Sequence, residues 1–138
     1  MSDRCYVEIN LMEDQRELWE PIVGGMLSAQ DADGGAVVAR DGGANYALYE
    51  ERLQLAEAGC TFYGAHEAGD EYGPTMFGAI GGKHAEVPLA GGDPCVRLTP
   101  ETGRVRGLKK AKDALALIKA ARSIVDAQRA RKPRKVKQ

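Results

Sequence analysis

Three residues that could act as a nucleophile or a base lie in the middle of the chain. Cys60 follows a predicted helix end, and His66 and His84 fall in predicted strands. Adjacent strands lie about 5 Å apart, so Cys60 could meet a histidine across a sheet and be activated by it. A metal site is less favoured, because His66 and Glu67 would point to opposite faces of one strand. Neither pattern is specific, so we assign no catalytic residue, no metal and no cofactor.

Two short matches to known catalytic motifs fail. The segments HAE and PCV resemble part of the zinc-deaminase signature, but Leu98 stands where the second cysteine should be. The glycine-rich segment 78–84 approaches a phosphate-binding loop. Phe77 and His84, however, occupy positions that this motif reserves for Gly and for Ser or Thr. No serine lies in a GxSxG elbow, which excludes an α/β-hydrolase.

Length and composition indicate one folded domain. The chain has 138 residues, 43% hydrophobic and 28% charged, which is typical of a globular protein. It contains no apolar stretch long enough to span a membrane and no apolar core near the N-terminus, so we expect a cytoplasmic protein. Three widely spaced cysteines without a CxxC pair predict free thiols.

The net charge of −1 conceals a strong division of charge. Residues 1–103 carry 18 acidic and 6 basic side chains, whereas residues 104–138 carry 2 acidic and 13 basic ones. Dense Lys and Arg bind polyanions largely without sequence preference. We therefore predict a site for nucleic acid or another polyanion. Its residues are Arg104, Arg106, Lys109, Lys110, Lys112, Arg129, Arg131, Lys132, Arg134, Lys135 and Lys137.

The acidic body, residues 1–103, supports two other interpretations. The basic segment could pack on it and neutralise it. Alternatively, the body could occupy the basic groove of a nucleic-acid enzyme, as small phage or mobile-element inhibitors of the anti-restriction or anti-CRISPR kind do; this is an analogy of charge only. The predicted acidic partner surface consists of Glu13, Asp14, Glu17, Glu50, Glu51, Glu67, Asp70 and Glu71.

These observations leave three functions open. The first is a non-catalytic interaction protein that binds nucleic acid, the second is the acidic inhibitor, and the third is a small Cys/His enzyme. We expect the partner to be nucleic acid or a protein with a charged surface, and no membrane. A homodimer through the C-terminal helix is also open, because its apolar stripe could pack on a second copy.

Periodicity predicts the elements of the first half. Alternating apolar residues favour a strand over 5–11, and helical spacing follows around Pro21, which should kink or interrupt the helix. The apolar run 36–40 predicts a second strand. Asn45 is a plausible N-cap for a helix over 46–58, whose apolar face would contain Tyr46, Tyr49, Leu53 and Ala56.

The second half predicts antiparallel strands and a long helix. Strands at 61–67 and 75–80 flank a turn, alternation resumes around 85–89, and a small hairpin closes through TPETG. The strongest helix covers 108–130 and ends before Pro133. The fold class is therefore α+β: an early β-α-β-α, a mainly antiparallel sheet and a C-terminal amphipathic helix. We predict one domain over 1–130 with a basic tail at 131–138.

Overall fold

The computed structural model describes residues 4–26, 36–69 and 72–131, and it confirms the α+β class. Six antiparallel strands form the main sheet in the order β2-β1-β3-β4-β5-β6, and β7 and β8 form a separate hairpin. The strands are β1 Arg4–Met12, β2 Ala36–Asn45, β3 Phe62–His66, β4 Thr75–Ile80, β5 Lys83–Ala90, β6 Asp93–Pro94, β7 Arg97–Leu98 and β8 Val105–Arg106. The helices are α1 Arg16–Val23, α2 Tyr49–Glu57 and α3 Leu108–Arg131.

The predicted first strand is the centre of the core. Val7, Ile9 and Leu11 of β1 are fully buried, whereas Glu8 and Asn10 between them are only partly buried. Successive side chains of a strand point to opposite faces, so this alternation places one face of the sheet against the main apolar cluster. β1 pairs with both β2 and β3 and so holds the two halves of the chain together.

The two faces of the sheet carry different helices. The cluster on the first face joins the apolar residues of β1 and β4 to those of α1 and α2, such as Trp19 and Leu55. The other face carries α3, which contacts β3, β4 and β5 and buries Ile118, Ala121 and Val125. The apolar stripe predicted for the last helix therefore packs on the chain's own sheet.

A tertiary contact of Trp19 stabilises helix α1 although the helix contains a proline. Pro21 lies inside α1, and Trp19, one turn earlier than Val23, is fully buried. The indole Nε1 of Trp19 donates a hydrogen bond of 2.8 Å to the carbonyl oxygen of Met12 at the end of β1. A buried tryptophan usually needs such a partner for its N–H group.

The prediction for residues 45–58 is wrong in two respects. Asn45 is not an N-cap, because β2 continues to this residue, and α2 begins only at Tyr49. The predicted apolar face is wrong for three of its four residues: Tyr46, Tyr49 and Leu53 are exposed and only Ala56 is buried, while Arg52 is buried as well. The reason is a left-handed turn at residues 46–48, which redirects the chain before the helix starts.

The small hairpin and the terminal helix agree with the sequence prediction. β7 and β8 pair antiparallel around the TPETG turn, and α3 covers the predicted range to within one residue. In the described part of the chain, no helix is both long and apolar enough to cross a membrane. The predicted tail lies outside the described residues apart from Arg131.

Candidate functional site

Arg52 is the most unusual side chain of the structure. Only 2% of it is exposed, and helix α2 places it against strands β4 and β5. Its Nε donates to the carbonyl oxygen of Ala47 at 3.1 Å, and its Nη1 lies 3.1 Å from Glu86 Oε1 and 3.2 Å from His84 Nε2. Burial lowers the pKa of Arg52, and the Glu86 carboxylate opposes this effect. The guanidinium is thus a buried cation with one partly exposed counter-ion.

Aromatic rings pack against the guanidinium. The Cζ of Arg52 lies 4.3 Å from the ring centroid of Phe77 on β4 and 5.3 Å from that of Tyr49. Gly64 on β3 makes room for the Phe77 ring, because a Cβ at this position would lie 3.0 Å from two ring carbons. The faces of Phe and Tyr rings attract cations, which offsets part of the cost of burying Arg52.

Both histidines belong to this cluster as neutral bases. Burial, followed by the nearby Arg52, lowers the pKa of His84 to about 4. Burial also lowers the pKa of His66, and a hydrogen bond to the Glu67 carbonyl group opposes this effect. Arginine can only donate, so His84 accepts through Nε2 and carries its proton on Nδ1. His66 Nδ1 lies 2.8 Å from the carbonyl oxygen of Glu67 and must donate, which leaves its Nε2 as an acceptor.

A strained turn forms one edge of the cluster. Tyr46, Ala47 and Leu48 have φ values of 52°, 55° and 57°, so three successive residues with Cβ atoms adopt the left-handed conformation. This conformation costs roughly 1–2 kcal/mol per residue. The hydrogen bond from Arg52 to Ala47 and the burial of Ala47 and Leu48 offset the cost. Strain of this kind is often found at functional sites.

These groups line a half-open cavity of about 730 Å³, the volume of a typical small-molecule site. We call it the Arg52 cavity. Its wall combines the left-handed turn and the start of α2 with residues of β3, β4 and β5. The lining residues are Asp41, Gly43, Tyr46, Ala47, Leu48, Tyr49, Glu50, Glu51, Arg52, His66, Tyr72, Thr75 and Glu86.

The structure does not bring Cys60 to a histidine. Cys60 is fully buried, burial raises the pKa of its thiol, and in the described part of the chain it bonds neither His66 nor His84. Cys5 is linked to His66 through Tyr72. The Tyr72 hydroxyl donates a hydrogen bond of 3.4 Å to Cys5 Sγ, and the Tyr72 ring packs on the His66 ring. All three cysteines are free. The described residues contain no group of three or more metal-binding side chains.

A second concave surface of about 1200 Å³ lies between β5, the hairpin β7–β8 and the start of α3. We call it the basic groove. Four cations line it: Lys83, Arg97, Arg106 and Lys110. None of the four forms an ion pair with a described residue.

The two carboxylates in the basic groove are already paired elsewhere. Glu86 bonds Arg52, and Asp113 lies 3.0 Å from the Nζ of Lys109 within α3. Both ion pairs found in the described part of α3, Lys109–Asp113 and Arg122–Asp126, stay within the helix. This part of α3 therefore gives no support to neutralisation by contact with the acidic body.

Two arginines face each other across the hairpin. Arg97 and Arg106 are direct partners in the β7–β8 register, and both line the basic groove. Like charges directly opposite each other in a strand pair are destabilising. An anion placed between them would remove this repulsion.

The predicted basic residues divide into two groups. Arg104, Arg106, Lys109, Lys110 and Lys112 are all exposed around the start of α3. The others, from the end of the helix and the tail, have side chains outside the described residues: Arg129, Arg131, Lys132, Arg134, Lys135 and Lys137.

The predicted acidic residues that the structure describes lie on or beside three elements, α1, α2 and β3. Glu50 and Glu51 line the Arg52 cavity, whereas Glu13 pairs with Arg16 at 2.7 Å beside α1. Asp14, Glu17 and Glu67 have described positions in or next to α1 and β3, and Asp70 and Glu71 lie outside the described residues.

Sequence reasoning missed three cations of these sites. Lys83 and Arg97 lie in the acidic half of the chain, so the division of charge gave no reason to choose them. Arg52 was missed because a charged residue that follows two glutamates in a predicted helix is usually solvent-exposed. The neighbouring residues did indicate that another side chain could face the core, because Tyr46, Tyr49 and Leu53 together form a poor apolar face for a short helix.

Comparison of the chain with protein-family models, with curated proteins and with solved structures gives no match.

Proposed function

We propose that the protein is a non-catalytic interaction protein that binds nucleic acid through the basic groove. The observation that carries the proposal is the set of four groove cations, Lys83, Arg97, Arg106 and Lys110, without a carboxylate partner among the described residues. Lys109, which pairs with Asp113, and Lys112, which lies about 200° around the helix from Lys110, are exposed on α3 but do not line this groove. Lys and Arg side chains bind nucleic acid by neutralising its phosphates.

The composition of the groove favours backbone contacts over base recognition. Arginine can bind phosphate in a bidentate manner, and lysine binds it as a point charge. The aromatic side chain that lines the groove is Tyr49, which already contacts Arg52. We therefore expect binding with little sequence preference and a strong dependence on salt.

The test is fluorescence anisotropy with labelled DNA and RNA, single- and double-stranded, over a series of salt concentrations. We expect the logarithm of the affinity to fall linearly with the logarithm of the salt concentration. The double variant Arg97→Ala, Arg106→Ala should bind more weakly at all sequences. Its salt slope should decrease by about 1 for each phosphate that the variant no longer neutralises.

Lys119→Ala provides the matched control for charge. Lys119 is exposed on α3, nine residues after Lys110, which places it on the opposite side of the helix. This variant should bind almost as well as the unaltered protein. Equal losses of affinity in the control and in the Arg97/Arg106 variant would overturn the groove as the site, and salt-independent binding would overturn the proposal altogether.

The acidic body supports a second candidate, an inhibitor of a nucleic-acid enzyme. The specific observation that favours it is the pair Glu50 and Glu51 in the first turn of α2, of which Glu50 is exposed and Glu51 partly exposed. If the protein ignores nucleic acid but blocks a DNA-cleaving enzyme, this candidate replaces the first. Glu50→Gln with Glu51→Gln should then relieve the inhibition, whereas Glu101→Gln on the hairpin turn should not.

A further inference from the structure

The Arg52 cavity contains two buried polar groups whose bonding capacity is incomplete. Arg52 uses Nε and Nη1 for its three hydrogen bonds, so its Nη2 has no partner among the described residues. His66 is 7% exposed, and its Nε2 accepts no hydrogen bond from the described part of the chain. Among the described residues the fully buried side-chain polar atom without a partner is Gln128 Oε1, so these two nitrogens are open to the cavity and can be reached by a ligand there.

The two groups can be reached by one small molecule. Both side chains lie against the same ring: Arg52 Cζ is 4.3 Å from the Phe77 centroid, and the His66 ring stacks beside it at 6.3 Å. Both also line the same cavity. One group is a fixed pair of cationic N–H donors, and the other is a neutral acceptor.

These donors and acceptors define the chemistry of the ligand. An N–H group on Arg52 Nη2 can donate a charge-assisted hydrogen bond to a carboxylate oxygen, which arginine binds more strongly than a neutral acceptor. The Nε2 of His66 requires an N–H or O–H group on the same molecule. Asp41, Glu50 and Glu51 at the cavity wall favour a positive charge on the ligand and disfavour a dianion such as phosphate.

We propose that the Arg52 cavity binds a free amino acid, with its carboxylate on Arg52 Nη2 and its ammonium group near His66 Nε2 and the acidic wall. The rings of Tyr46 and Tyr49 then lie beside the amino-acid side chain or its ammonium group, which aromatic faces attract. This proposal does not rest on nucleic-acid binding, because Arg52 and His66 line the cavity and not the basic groove.

The first experiment is a titration of the intact chain with a panel of the common amino acids, followed by isothermal calorimetry. The best binder is then compared with its amide, which lacks the carboxylate, and with its N-acetyl form, which lacks the ammonium group. We expect each modification to weaken binding by about 10- to 100-fold. If the N-acetyl form binds as well as the free amino acid, the ligand is a peptide C-terminus and the free amino acid is overturned.

The second experiment assigns the residues. Arg52→Lys keeps the charge but removes the paired donors, so binding should fall by at least about tenfold. The same change at exposed Arg40, which is paired with Glu8, is the control and should leave binding unchanged. Since Arg52→Lys can also disturb folding, the ¹⁵N resonance of His66 Nε2 is followed in the unaltered protein.

The His66 resonance should shift on addition of the best binder and should shift much less with its N-acetyl form, which lacks the ammonium group. Binding by no member of the panel would overturn the proposal. So would tight binding that leaves the His66 resonance unchanged.

Discussion

At the scale of single residues, the polar cluster depends on how Arg52 shares its donors. A guanidinium that is 2% exposed needs several acceptors, and Ala47, His84 and Glu86 each supply one. Of these only Glu86 carries a charge, and its side chain is 43% exposed. Removing that charge leaves a buried cation without a counter-ion, which is more costly than losing a neutral hydrogen bond.

We therefore predict that Glu86→Gln destabilises the fold by about 1–3 kcal/mol. The value stays below the full cost of a broken buried pair because Glu86 is partly solvated. The free energy of unfolding in urea measures it. Glu101→Gln, at an exposed hairpin turn, removes the same charge and should change the stability by less than about 0.5 kcal/mol. Equal effects would mean that the ion pair with Arg52 contributes nothing.

His84 makes the stability depend on pH. Because burial and Arg52 lower the pKa of His84 to about 4, the folded protein binds this proton more weakly than the unfolded chain, whose histidine has a pKa of about 6.5. Neutral His84 therefore contributes its full stabilisation to the folded state above a pH of about 6.5. This stabilisation is lost as the pH falls toward about 4. We expect a loss of stability of roughly 1–2 kcal/mol, since solvent screens this partly exposed ring.

Urea unfolding at several pH values tests the assignment to His84. His84→Gln keeps an acceptor for Arg52 but cannot be protonated, so its stability should fall less steeply over the same range. Some pH dependence of the stability should remain in this variant, because the pKa of His66 is also lowered. An unchanged slope in His84→Gln would show that other groups cause the pH dependence.

At the scale of elements, the left-handed turn at 46–48 is the least expected feature. Periodicity could not reveal it, because Tyr46, Ala47 and Leu48 are ordinary residues for a helix and none is glycine or asparagine. Tertiary contacts override the local preference: Ala47 and Leu48 are buried, and Arg52 holds the carbonyl group of Ala47. This is why the helix start was predicted wrongly while strands such as β1 and β4 were predicted well.

The strain can be measured with a pair of glycine substitutions. Tyr46→Gly should be neutral or stabilise the protein by up to about 1 kcal/mol, because glycine adopts positive φ without steric cost. Leu53→Gly lies in the interior of α2 with similar exposure (40% against 48%) and should cost about 1 kcal/mol. Thermal or urea unfolding gives both values. A cost for Tyr46→Gly as large as that for Leu53→Gly would contradict the left-handed turn.

The docking of α3 was predictable only in part. The apolar spacing of Ile118, Ala121 and Val125 identified the helix and its buried side, but not its position on the sheet. That position depends on Gly78 of β4, where a Cβ atom would lie 3.2 Å from the Cα of Ile118. A glycine in a sequence pattern does not show which element approaches it, so only the folded structure reveals this packing.

We predict that Gly78→Ala destabilises the protein by about 1–3 kcal/mol, because the helix must move away from the sheet by a few tenths of an ångström. Gly73→Ala is the control, since nothing lies within 4 Å of its Cβ and its φ is not in the positive range. Chemical denaturation compares the two. Similar stabilities would mean that α3 does not rest closely on β4.

At the scale of the whole molecule, the two candidate sites share a wall. Tyr49, Thr75 and Glu86 line both the Arg52 cavity and the basic groove. The cavity has acidic residues around one buried cation. The groove has cations without an ion-pair partner among the described residues, around two carboxylates that are paired with Arg52 and Lys109. The division of charge in the sequence predicted the basic surface near α3, but the cavity could not be predicted because it is assembled from distant segments. Its polar groups come from α2, β3 and β5, which meet only in the folded sheet.

The division of charge leads to a last prediction about the tail. Among the described side chains, the last buried residue of α3 is Val125, so the basic residues beyond it are not needed for the apolar core that these side chains form. Replacing Lys132, Arg134, Lys135 and Lys137 by glutamine keeps the length of the chain and should change the free energy of unfolding by less than about 0.5 kcal/mol.

The same replacement should weaken nucleic-acid binding. For duplex DNA the salt slope should decrease by about 0.9 for each tail residue that contacts a phosphate, and for a single strand by about 0.7. Anisotropy titrations at several salt concentrations measure both slopes, with Lys119→Ala as the control for an exposed charge outside the groove. If the tail variant keeps its full slope while Arg97→Ala, Arg106→Ala shows a smaller one, the groove alone holds the polyanion. If both variants keep the full slope, the positive half of the molecule is not what nucleic acid recognises.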